Sequence, residues 1–298
     1  MSGIIAGIGQ AARDIIMVVD KYPQYGEKKR VEYILEDGGG PVATALYTVA
    51  RLGLRTRIST IVGDDDSGRF ILDSLRKARV CTKFVIKRRN ASSHIAYILV
   101  ERRTGERTIF YKFCTGGDIH PEELHPRFFD GVSFLHIDGF QREISIYASE
   151  YARRLGIPVM LDAGSYKEYV EDIIKNTTYL VASSAFATHY GFDGSIRSFK
   201  KLARYFDRPH FTITLGEKGS ITYDRGEIFK TPAYRVNAVD TTGAGDVFHG
   251  ALIYAIEKRY KMTKAIAFAS RIAALKCLDY GGRRGLSNIE NKIRIKIV

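Results

Sequence analysis

From residue 132 onward the chain alternates strand-like and helix-like runs, and that alternation restricts the fold more than any other feature. VSFLHI, IPVMLD, TYLVAS and HFTITLG are short and apolar, and they read as strands. REISIYASEYARRLG and SIRSFKKLARYF carry apolar residues at helical spacing. Two more helices are predicted at about 244–258 and 262–277. Parallel neighbours need a crossover, usually a helix, to bring the chain back to the same end of the sheet. The order therefore predicts an α/β fold, with a mostly parallel sheet and helices on both faces.

The first third fits the same sheet with two interruptions. IIAGI (4–8) and RISTIVG (57–63) read as strands. GGGPVATALYTVARLG (38–53) reads as a helix that Pro41 can open and Gly53 can end. DSGRFILDSLRKARV reads as another, with Asp66 or Ser67 as its cap. The stretches at about 14–36 and 92–113 hold only β-like runs and turns, around Pro23 and Gly26 and around Thr104 and Gly105. They are expected to form one small sheet, a lid over the carboxyl ends of the parallel strands, where ligands bind in open α/β folds. No linker or repeat divides the chain, so residues 1–298 read as a single α/β domain carrying that lid.

Charge and cysteine content remove several function classes. The net charge is +13, yet the basic residues are scattered in short groups (28–30, 87–89, 102–103, 200–201, 283–284) without a long tract or an aromatic–basic RNA signature. No nucleic-acid partner is expected. No apolar run approaches the ~18 residues that span a bilayer. The apolar start at 4–8 has neither a basic segment before it nor a clear cleavage site after it. The reading is a cytoplasmic protein with no membrane partner. Cys81, Cys114 and Cys277 lie far apart, which fits neither a disulfide framework nor a zinc site.

DTTGAGDVFHGAL (240–252) is the stretch with chemical content. Gly243 and Gly245 let backbone approach a phosphate closely, and the helix that follows exposes unpaired N–H groups at its positive end. Asp246 falls in the first turn, where it could take the proton of an alcohol attacking a γ-phosphoryl group. The same residues could also be a capped helix with an acid in its first turn. TITLGEKGSITY (212–223) is a strand, a glycine-bounded turn and another strand. Alone it is a plain hairpin; followed by an anion-binding helix start it could wall a nucleotide. Asp14, after the first strand, could accept hydrogen bonds from sugar hydroxyls or serve in a turn. No G-x-x-x-x-G-K-[ST] occurs. GIGQAA (7–12) matches G-x-G-x-x-A, but the β-branched RDIIMVVDKYP after it is not the helix a dinucleotide site requires.

Three pieces together resemble the ribokinase-like (PfkB-type) carbohydrate kinases: Gly39-Gly40 leading a helix that ends ARLG, then TLGEKGS, then DTTGAGD. They fall in order across nearly the whole chain. The resemblance implies a ribokinase-like three-layer α/β/α fold with a mostly parallel sheet and a small β lid. It implies an ATP-dependent kinase, using Mg2+, that phosphorylates a hydroxyl of a small sugar or sugar acid. Asp246 would be the general base, with Gly243, Ala244 and Gly245 as the anion hole. Thr214, Gly216 and Gly219 would line the nucleotide. Asp14, Gly39 and Gly40 would hold the sugar, and Asp240 and Thr242 would offer carbonyls to a monovalent cation, K+.

Three positions depart from the family pattern. Thr44 stands where many members place a substrate-binding Asn, and Ser183 and Phe186 stand where the family's Asn and Glu organise Mg2+. GGGPVAT, GDVFHGA and ALKC with GGRRG are most similar to the sulfofructose kinase branch. Its substrates carry an anionic end, which Lys28, Arg107, Lys112 or Arg142 would receive. A nucleoside or vitamin kinase on the same scaffold is an alternative, with Tyr97 and Tyr111 as walls for a base. An NAD-dependent oxidoreductase using Gly7 and Gly9, or a non-enzymatic binding module, is a more distant one. Exposed edges on the lid strands imply a homodimer formed through the lid.

Overall fold

The computed structural model describes residues 3–286 and 289. Its main sheet has nine strands. From one edge they run Glu227–Thr231, Ser220–Asp224, His210–Thr214, Tyr179–Ser183, Val159–Ala163, Val132–Ile137, Ile4–Ile8, Thr56–Ser59 and Val80–Cys81. Every pairing from His210–Thr214 to Val80–Cys81 is parallel, and the first two strands add an antiparallel edge. Ile4–Ile8 lies inside the sheet with a parallel neighbour on each side. The chain builds outward from it in one direction and later in the other, so a crevice opens between its carboxyl end and that of Val132–Ile137.

Helices cover both faces. One core joins Ala6, Ile8, Ile137 and Leu161 to Ile144, Ala148 and Phe199 of helices Arg142–Arg154 and Ile196–Phe206. The other joins Ile5, Ile58, Phe134 and Met160 to Leu46, Ile71, Val247 and Ile266 of helices Pro41–Arg51, Asp66–Lys77, Ala244–Glu257 and Met262–Lys276. Alternate residues of one strand thus feed opposite cores, which is why these strands read as unbroken apolar runs. Each fully buried Leu, Ile or Phe contributes about 1.5–3 kcal/mol.

Two local expectations change. RISTIVG is not one strand. Thr56–Ser59 stays in the main sheet, and after Thr60 the segment Ile61–Gly63 pairs instead with Ile86–Arg88. The cap of helix Asp66–Lys77 is Asp65, not Asp66 or Ser67: its extended backbone lets the carboxylate accept from Gly68 N at 2.8 Å. The same carboxylate accepts from Ser93 N at 2.9 Å and Ser93 Oγ at 2.6 Å, a partner no local pattern reveals.

A second sheet of four strands runs Tyr33–Gly39, Ala12–Val19, Ile95–Glu101, Arg107–Lys112. The two middle strands pair in parallel although about 80 residues separate them, and the outer pairs are antiparallel hairpins. Ile16, Val18, Ala96, Ile98 and Val100 form its own small core, with Leu35 and Tyr280 against it. Asp14 lies within Ala12–Val19 rather than ahead of it.

Candidate active site

Helix Ala244–Glu257 begins at Gly243, whose φ of 71° is left-handed backbone that glycine adopts freely. A Cβ there would also come within 3.0 Å of Gly282 Cα. No side chain caps this helix. A Cβ on Gly245 would meet nothing within 4 Å, so the first turn faces open space. Bare amides and the positive end of the helix therefore meet solvent at one point, as anion binding requires.

Asp246 sits in that turn, half-buried. Dense surroundings push its carboxyl well above the usual carboxylate range; the Asp162 charge adds to this, while His249 and Arg283 oppose it. Asp162 is buried in the strand Val159–Ala163. His249 lies one turn on, with Nδ1 2.7 Å from the Gly245 carbonyl oxygen and 3.6 Å from Asp162 Oδ2.

Asp14 lies close to this turn, and its charge and that of Asp246 act on each other. It is 6% exposed, and burial pushes its pKa up to about 7 against the lowering influence of Arg283. A Cβ on Gly39 would collide with the Asp14 carboxylate, so only glycine lets the two strands carry the acid at this place. Gly40, with φ of 88°, caps helix Pro41–Arg51, and a Cβ on it would strike the Gln10 carbonyl oxygen.

Thr44 is buried, and its hydroxyl accepts from Arg283 Nε at 3.1 Å. Arg283 is itself 1% exposed, and its Nη2 donates to the Gly39 carbonyl oxygen at 2.7 Å. Asp37 accepts the backbone N–H of Arg283 at 2.8 Å. A guanidinium from the far end of the sequence thus holds the Gly38–Gly40 turn.

The remaining positions scatter. Lys28 is exposed in the turn before Tyr33–Gly39. Arg107 reaches back from the small sheet, its Nη1 donating to Thr241 Oγ1 at 2.5 Å. Thr214 ends its strand and donates to the Ala182 carbonyl oxygen at 3.3 Å. Gly216 opens the short turn Gly216–Lys218, and Gly219 closes it with φ of 87°, where a Cβ would overlap the Thr231 carbonyl oxygen. Ser183 caps helix Ser184–His189, and Phe186 is fully buried in the core, so neither presents a charged oxygen to a metal. Among the described residues no group of three or more His, Cys, Asp or Glu side chains could hold a metal ion. None of their helices is long and apolar enough to cross a membrane.

The pfkB family carbohydrate kinase model matches residues 5–289. The chain belongs to that family. It is 26% identical to a ribokinase of Staphylococcus aureus, over 97% of this chain and 98% of that one. It is 27% identical to a ribokinase of Bacillus subtilis, over 95% of each. The solved Arabidopsis thaliana ribokinase complexed with ribose and ATP superposes with a TM-score of 0.85 over 99% of each chain, at 20% identity, and so shares the fold.

Within this family member, sequence reasoning missed Asp138. It is buried beyond the end of Val132–Ile137 and accepts from Gln10 N at 2.7 Å and Phe140 N at 3.1 Å. Burial pushes its pKa up to about 6. Gln10 and Phe140 also line a cavity of about 240 Å³ with Gln141, His94 and Phe113. Asp37, Asp162, His249, Lys276 and Arg283 were missed too. Only one signal could have found some of them: a polar residue just beyond a buried parallel strand.

Proposed function

We propose that the chain transfers the γ-phosphoryl group of ATP to a hydroxyl of a small sugar-type substrate. The observation that carries this is the uncapped, glycine-lined start of helix Ala244–Glu257 with Asp246 in its first turn and Asp14 close by. The amides at 244–246 would hold the transferring group as its charge spreads over the equatorial oxygens. Asp246 would accept the hydroxyl proton as that oxygen attacks in line, and its raised pKa makes it a stronger base than an exposed Asp. Asp14 would accept hydrogen bonds from other hydroxyls, with Gly39 and Gly40 giving the sugar close access. Thr214, Gly216 and Gly219 would wall the nucleotide. Magnesium brought in with ATP would be held by its phosphates, its remaining waters and one or two carboxylates, and neither Ser183 nor Phe186 would supply one.

The four-stranded sheet would act as the lid, with Arg107 already reaching Thr241. Its outer face leaves Ile34, Tyr97 and Phe110 exposed at 66, 45 and 61%, and a second copy would cover them in a homodimer. Phe110→Glu should then convert dimers to monomers in sedimentation. The test of the reaction is Asp246→Asn: turnover should fall about 10²–10⁴-fold, while ATP still raises the melting temperature. Near-normal turnover would end the reading.

The cavity favours a second reading of the acceptor, a nucleoside. Its aromatic walls are uncharged: burial lowers the His94 pKa to about 4, and Phe113 lies edge-on to that ring at 5.3 Å. Gln10 and Gln141 add amide edges. Tyr111 stacks on His94 at 6.1 Å, whereas Tyr97 points to the outer face and offers no wall. Lys28, Arg107, Lys112 and Arg142 do not line the cavity, which weakens the case for an anionic sugar there. Turnover of a nucleoside against ribose and a sulfonated sugar separates the three.

A further inference from the structure

A second buried cation sits where the family pattern pointed to a potassium ion. Lys276, in the last turn of helix Met262–Lys276, is fully buried, and its Nζ donates to the Asp240 carbonyl oxygen at 2.8 Å. That oxygen is one of the two expected to bind K+. The Asp240 carboxylate is satisfied without an ion, while the buried Thr242 hydroxyl has no partner among the described residues. Asp240 is fully buried, and its two carboxylate oxygens accept from Thr242 N and Gly281 N, each at 2.8 Å. A carboxylate so deeply placed needs a positive charge beside it. Lys276 supplies one from the next helix, and the charges of Asp240 and Asp37 both act on it. A free monovalent cation does not fit beside this carbonyl, because an ammonium already lies 2.8 Å from it and would repel a second cation in the same space.

We propose that the Lys276 ammonium takes the place of the monovalent cation at this loop, so that the kinase works without potassium. A free ion binds by mass action and is lost when its concentration falls; a lysine anchored in a helix is not. By holding the Asp240 carbonyl it fixes the segment leading to Gly243, and with it the amides that begin the helix. This rests on the 240–246 loop being the phosphate cradle.

The test compares potassium with choline at equal ionic strength, first on the parent protein. The phosphorylation rate should be the same in both. Lys276→Met should lose about 100-fold in kcat, as when one preorganised donor is removed, and potassium should restore part of it. A second readout needs no activity. Potassium should leave the parent melting temperature where choline leaves it, and should raise that of the ligand-free Met variant by mass action. Lys276→Gln, which keeps a donor without the charge, replaces the Met variant if that one does not fold. A parent whose rate or melting temperature rises with potassium overturns the proposal. So does a variant fully active in choline. If no acceptor is phosphorylated in either salt, the kinase reading fails, and the melting comparison still decides between ammonium and ion.

Discussion

Replacing Arg283 by Met tests how the substrate side of the site is held together. The methionine keeps an unbranched stem of similar length and removes the charge. Three interactions go with it: the bond to the Gly39 carbonyl oxygen at 2.7 Å, the bond to Thr44 Oγ1 at 3.1 Å, and the guanidinium stacked 5.3 Å from the Tyr47 ring centroid. The contact to Ser74 Oγ, at 3.4 Å, is too long to add much. Asp37 and Asp14, both buried, then face each other across paired strands without their counter-charge. Leaving a buried charge unpaired costs about 3–5 kcal/mol, a figure that already contains the lost hydrogen bonds. In a chain of this size that is a fall of roughly 10 °C in melting temperature.

Urea unfolding at pH 7 without ligand reads the free energy directly. Arg283→Lys keeps the charge but not the fork, and should fall between Met and parent. The pH profile gives an independent check. Arg283 holds down the pKa values of Asp14 and Asp246, so its removal should raise both. A base must be ionised to act, so the acid limb of kcat/KM should move to higher pH. A Met variant within about 1 kcal/mol of the parent, with an unmoved profile, would refute the reasoning.

Asp14 keeps its proton in the folded state up to about pH 7, but in the unfolded chain only to about 4. Its contribution to stability is therefore complete below pH 4 and is lost as pH rises through 7, by at most about 1.4 kcal/mol per unit; Asp14→Asn should become steadily more stable than the parent over that window in urea titrations. Asp65→Ala should cost about 1–2 kcal/mol through the lost helix cap, with turnover little changed. Gly243→Ala forces a left-handed backbone and a 3.0 Å contact on Gly282 Cα, and should lower both stability and kcat, the first by at least ~1–2 kcal/mol of strain, read in urea unfolding.

The parts legible in the sequence were those written in local periodicity. Apolar runs such as IIAGI and VSFLHI marked strands buried on both faces, and the glycines before Asp246 marked an uncapped helix start that faces open space. The parts that were not legible depend on partners distant along the chain. Arg283 bonds to Gly39 across 244 positions, and Asp138 to Gln10 across 128. Neither residue has neighbours that distinguish it from a surface charge. Thr44 was picked out by its position before ARLG; that its hydroxyl accepts from Arg283 could not be read there. The helix cap was misplaced by one residue because Asp65 and Asp66 look alike until Ser93 is brought beside one of them.

Lys276 and Arg283, the two most deeply buried lysine or arginine side chains among the described residues, both come from the stretch 276–283, after the last strand of the main sheet, which ends at Thr231. During synthesis the strands of the main sheet are therefore made before the residues that hold the 240–246 loop. A chain that has emerged only as far as helix Ala244–Glu257 has Asp37 and Asp240 without the charges of Lys276 and Arg283 that act on them, and Gly243 without the Gly282 backbone that packs on it. On the proposed reading of that loop, competence for chemistry would wait for one short C-terminal passage to dock.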